Sequence, residues 1–169
     1  KDWVLAWQVF NGRQLDNRLA ELAYFSRLLT LGLQFEYSLE QGWPLTAAEQ
    51  VFLYQYMAHA CDGLNRKQEE LLYREKGFAA AQASGKADKV VMHGSILADT
   101  HICLGQNKHA REVFAKIQLQ TETLSGTAEG FHQRIQAKAA LYTGNYEQAI
   151  TSYELINKSY ISTFNSIIF

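Results

Sequence analysis

Residues 141–156 read "LYTGNYEQAITSYELI", and residues 101–117 read "HICLGQNKHAREVFAKI". Each has a glycine, an alanine five residues later and an aromatic four residues after that. The triads are Gly105, Ala110, Phe114 and Gly144, Ala149, Tyr153. Glycine permits the tight turn that sends a second helix back along the first. The alanine falls in the first turns of that second helix, where a small side chain lets two axes approach. The aromatic lies one turn on and fills the wider gap. Seven residues before the glycines stand Ala98 and Ala137, small residues on the first helix of each unit. Ile117 and Ile156 close the units, and the offset between copies is 39 residues.

The rest of the chain fits the same reading. Leu15, Leu19, Leu22, Leu29 and Leu33 form one helical stripe, and Leu28, Leu31, Phe35 and Leu39 a second. A helix apolar on two sides is expected to be packed on two sides, here over 15–40 with a possible bend near Gly32. "GWPLT" at 42–46 is a break. Thr46 with Glu49 forms a capping box for the next helix. "CDGLN" at 61–65 is the following turn, with Asn65 capping a helix over about 66–83. "ASGKAD" at 83–88 breaks again. Helices follow at 88–104, 107–120, 128–143 and 146–158, with the polar loop "TETLSGT" at 121–127. The first segment, "DWVLAWQVF", reads as a helix with Trp3, Trp7 and Phe10 on one face. Short connections make sequential helices antiparallel neighbours.

At Ala98, Gly105, Ala110 and Phe114, and at Ala137, Gly144, Tyr146, Ala149 and Tyr153, the chain resembles the tetratricopeptide repeat family. The resemblance covers roughly residues 91–158. It departs from the family pattern at Asn107, where a tyrosine is usual, and lacks the usual proline between units. An earlier unit, 47–83, has the helix–turn–helix form around Gly63, with Gln68 where the alanine is wanted. The resemblance implies an all-α fold of antiparallel helix pairs stacked as a short right-handed superhelix, an α–α solenoid. On that reading the chain is one helical-repeat domain: 1–45 holds N-terminal helices, 47–83 a degenerate pair, 88–120 and 128–158 the repeats, and 159–169 the start of a further helix. The lysine at residue 1 and the apolar tail "ISTFNSIIF" suggest a piece of a longer protein.

Composition narrows the function. The 169 residues carry 16 basic and 17 acidic side chains, a net charge of −1. That balance argues against nucleic acid as a partner of this domain, because phosphate binding needs a basic excess on one face. No stretch is apolar enough to span a bilayer, so no membrane insertion is expected. Cys61 and Cys103 have no CxxC partner and read as two free, buried thiols of a reducing, cytoplasmic setting. His59, His93, His101, His109 and His132 contain no i, i+4 pair or HExxH run, so no metal site, cofactor or catalytic residue is assigned. Phosphate-cradling and hydrolase motifs are missing too.

What remains is binding. Stacked helix pairs leave a concave surface lined by the first helix of each pair. The resemblance implies a groove formed by Met92, Ser95, Asp99 and Ile102 from one helix, and by Phe131, Arg134, Lys138 and Tyr142 from the next. Arg134 and Lys138, four apart, are suited to a carboxylate of a peptide partner; alternatively they pair with Glu122 or Glu129. The function expected is a protein- or peptide-binding scaffold module, with self-association through the array's apolar ends as a further possibility. Two rivals are a regulatory sensor domain binding a peptide or small ligand, and an all-α enzyme with an unrecognised site.

Overall fold

The computed structural model describes residues 18–118, 126–142, 144–145, 147–148 and 150–152. The elements in chain order are α1 (Arg18–Glu40), α2 (Ala47–Gly63), α3 (Lys67–Ala83), α4 (Ala87–Cys103), α5 (Asn107–Gln118) and α6 (Gly126–Tyr142). Residues 147–148 and 150–152 are helical again. No strand occurs among the described residues, so the fold is all-α. The expected helix at 2–10, the 121–125 part of the loop and the tail 159–169 lie outside the described residues.

These helices end where local chemistry ends them. The αL residues are Gly42, Asn65, Gly85, Gly105 and Gly144, with φ between +57° and +89°. After α4, the Gln106 N–H donates to the His101 carbonyl at 2.8 Å and the Gly105 N–H to Ile102 at 2.9 Å. After α2, Arg66 donates to Cys61 at 2.8 Å and Asn65 to Asp62 at 2.9 Å. Both turns are Schellman motifs, which satisfy carbonyls the helix leaves without partners. Asn145 donates to Ala140 at 2.8 Å after α6, the same six-residue closure around Gly144.

This geometry corrects the sequence register in 47–83. The left-handed residue is Asn65, not Gly63, which is the last residue of α2. Asn65 is therefore a C-terminal turn residue rather than the N-cap of α3. Asparagine tolerates αL better than other residues with a Cβ. Gly63 serves another need: a Cβ there would stand 2.3 Å from the Phe25 ring. Counted from Asn65, the residue seven back is Ala58. Ala58, Ala98 and Ala137 are all 0% exposed. Five residues on from Asn65 is Glu70, not Gln68, and nine on is Arg74.

The chain divides into two compact units, Lys1–Gly77 and Phe78–Phe169, with the boundary inside α3. In the first, α1 packs against α2. Thr46 caps α2 as expected: its Oγ1 accepts from the Glu49 N–H, and Glu49 Oε2 accepts from the Thr46 N–H at 2.8 Å. Leu28 and Leu29 of α1 are buried, but Leu22 and Leu33 are 40% and 46% exposed. The expectation that both stripes of α1 are packed is thus corrected: within this unit the second stripe is buried at Leu28 and half-buried at Leu31, Phe35 and Leu39, while the first is buried at Leu29 and open at Leu22 and Leu33.

In the second unit, α4 packs against both α5 and α6. Its core holds Val90, Val91, Leu97 and Ala98 of α4 with Ile117 of α5 and Ile135 of α6. The short α5 buries Ala110, Val113 and Ile117, a single helical stripe, and exposes most of the rest. Gly94 sits where α4 and α5 meet; a Cβ there would lie 2.4 Å from Ile117 Cγ2 and 2.8 Å from the Phe78 ring.

Candidate functional site

The residues expected to line a groove separate into three environments. At about 100° per residue, Met92, Asp99 and Cys103 fall on one line of α4, while Ser95 and Ile102 are rotated about 60–80° from it. Met92 and Asp99 are half-buried and Cys103 is exposed. Ser95 and Ile102 are buried. Across from this line, Lys138 of α6 makes an ion pair with Asp99 at 2.6 Å. Its ammonium also donates to Cys103 Sγ at 3.7 Å. Lys138 therefore pairs with α4. Arg134 is exposed one turn earlier. The backbone of Phe131 and Tyr142 belongs to α6; their side chains lie outside the described part of the structure.

Cys103 also corrects the expectation of two buried thiols. Cys61 is fully buried, and burial, reinforced by Glu69, pushes its thiol up to about 11. It is inert at neutral pH.

Ser95 belongs to a polar chain that spacing alone does not reveal. Gln136 Nε2 donates to His132 Nε2 at 2.9 Å, and His132 Nδ1 then donates to Ser95 Oγ at 3.1 Å. The ring is 5% exposed, and burial lowers its pKa, so it is neutral at pH 7. Phe114 contacts the same ring edge-on, centroids 6.2 Å apart. A serine beside a histidine invites a nucleophile reading, but Ser95 is 0% exposed, so its hydroxyl cannot meet a substrate. The chain satisfies buried polar atoms between α4 and α6. Its only sequence signal is two polar residues at otherwise inward helical positions.

A second histidine pair forms at the α4–α5 turn. His101 Nδ1 bonds Gln106 Oε1 at 2.7 Å, and its ring stacks on His109 with centroids 5.4 Å apart and planes at 24°. Near-parallel stacked rings do not converge their in-plane nitrogen lone pairs on one ion. No group of three or more potential metal ligands occurs among the described residues. The weak same-face relation of His93 and His101 leads instead to two buried side chains.

The first unit carries its own polar cluster. Lys76 of α3 pairs with Glu36 of α1 at 2.5 Å, and its ammonium lies 5.6 Å from the ring centroids of both Tyr54 and Tyr73. Those rings stack at 6.4 Å. Burial, then the Glu36 carboxylate, pushes the Tyr73 phenol up to about 12. The cluster ties α1, α2 and α3 together.

A cavity of about 290 Å³ opens between α5 and α6, with Ile102 in its wall. Neither Asp99 nor Lys138 is among the described residues of its lining. No family model, no curated protein and no solved structure matches this chain. No helix among the described residues is long and apolar enough to cross a membrane.

Proposed function

We propose that this chain is a tetratricopeptide-like helical-repeat module that binds a protein or peptide on the face shared by α4 and α6. The observation that carries this reading is the pairing of α4 with both α5 and α6. The first helices of two successive helix pairs stand side by side, as a repeat array requires. Three features support it. The turns after α2, α4 and α6 share one hydrogen-bonded closure. The alanines seven residues before them are all fully buried. The α4–α6 face presents Met92, Asp99, Cys103, Arg134 and Lys138, mixed polar and apolar groups on rigid helices rather than a titratable cluster in a deep pocket. Such a face recognises a partner by shape and charge, with no bond chemistry.

The test is charge reversal on α6. Arg134→Glu combined with Lys138→Glu is expected to abolish capture of a specific partner from an extract of the source cells. Lys116→Glu on exposed α5 should leave it intact. Capture that survives the α6 reversal would remove this face from the site.

A further inference from the structure

The cavity between α5 and α6 carries a set of groups that the α4–α6 face does not use. Its floor is apolar, formed by Ala110, Phe114 and Ala140 together with Ile102. Arg111 is the one charged residue among the described residues of its lining, and none of these is a carboxylate. Among the described residues no ion pair or hydrogen bond engages the Arg111 guanidinium. Two amides on the lining are already oriented by neighbours. Gln136 spends its Nε2 on His132 at 2.9 Å, which leaves its Oε1 as an acceptor. Gln148 accepts from Asn145 Nδ2 at 2.9 Å through Oε1, which leaves its Nε2 as a donor.

The lining thus offers a planar cationic fork, a fixed acceptor, a fixed donor and a shallow apolar floor. The end of a peptide chain has the complementary groups: a carboxylate, an amide N–H, an amide carbonyl and one side chain. We propose that this cavity takes the free C-terminus of a peptide whose last residue is small and apolar. The carboxylate sits on Arg111, where bidentate pairing suits a single carboxylate. The last peptide N–H donates to Gln136 Oε1, and the preceding carbonyl accepts from Gln148 Nε2. The side chain rests on Ala110 and Ala140 against the edge of Phe114. A phosphate or nucleotide is disfavoured, since one guanidinium matches the single charge of a carboxylate and meets only part of a phosphate's charge. The cavity's volume is at the lower end of ligand sites, about 300–1,000 Å³, and suits one residue and its flanking amide.

This inference deepens the peptide-binding reading by adding a second site, and it rests on that reading for the class of ligand. The probe is the tripeptide N-acetyl-Ala-Ala-Val with a free carboxylate, titrated into the full chain and followed by NMR, with its C-terminal carboxamide as the comparison. The acid is expected to bind saturably, at least tenfold tighter than the carboxamide. It should shift the His132 ring nitrogens, because Gln136 bridges the peptide to that ring. Arg111→Gln, a change at an exposed residue, should remove the acid's advantage. Arg134→Glu with Lys138→Glu should leave the titration unchanged, even if that reversal abolishes partner capture. Equal affinity for acid and carboxamide, no saturable binding, or an Arg111→Gln protein that still prefers the acid would overturn the proposal. Loss of acid binding in the α6 reversal alone would move the carboxylate to the α4–α6 face and overturn it equally.

Discussion

His132 shows how one buried ring links the fold to pH. Burial holds its folded pKa below the ordinary 6.5. As pH falls below 6.5, the unfolded chain takes up a proton that the folded chain refuses. Stability is therefore full above 6.5 and is lost as pH falls toward the folded value. His59 acts in the same direction in the first unit, through burial and then Arg74. Thermal midpoints are expected to decline between pH 7 and pH 5, and His132→Phe to flatten part of that decline. A wild-type profile that is level across this window would show that neither ring is held neutral. Ser95 and Gln136 are the groups that the phenylalanine leaves without a partner, so the variant should also be less stable at pH 7 by about 1–3 kcal/mol.

At the level of the element, α3 and α5 occupy equivalent places after their turns but solve the crossing differently. Where α5 has Ala110 and Phe114, α3 has Glu70 and Arg74, paired at 3.4 Å with both side chains largely buried. Lys67 pairs with Glu70 at 3.1 Å as well. Removing one partner of a buried pair strands the other, at a cost of about 3–5 kcal/mol, while replacing both by apolar residues of suitable size is often neutral. Glu70→Ala is therefore expected to lower the denaturation midpoint far more than the double change Glu70→Ala with Arg74→Phe, which installs the α5 solution. Urea unfolding of both variants checks this. A double variant as unstable as the single one would mean that α3 needs the ion pair itself.

For the molecule as a whole, the consequential contact is the one that joins α4 to α6. Asp99 and Lys138 are 39 residues apart, and each is about one-third or less exposed on its side chain. Pairs of this kind are worth about 0.2–1 kcal/mol. Asp99→Lys and Lys138→Asp should each destabilise, and the exchanged pair should recover part of the loss. A double-mutant cycle by chemical denaturation measures the coupling. A coupling of zero would mean that the α4–α6 face is held by apolar packing alone and that its charges are free to serve a partner. Among the described residues of the first unit, the charge contacts between helices are Glu36 with Lys76 and Asp62 with Lys67.

The sequence by itself determined the all-helical class, the Thr46 capping box, the turns at Gly42, Gly105 and Gly144, and the small residues Ala98, Ala137 and Ala110. These features depend on hydrogen bonds and side-chain size within a few residues, so local order suffices to read them. It misread the turn at 61–65, because glycine is the expected left-handed residue and Gly63 drew attention from Asn65. Only the tertiary structure decided that Ser95 and Ile102 turn inward while Asp99 and Cys103 stay near solvent, that Glu70 is buried, and that His132, Gln136 and Phe114 meet beside a cavity. Each of those outcomes turns on where a neighbouring helix stands. Between residues 60–80° apart on one helix, that position is fixed by contacts distant in sequence, which periodicity cannot supply.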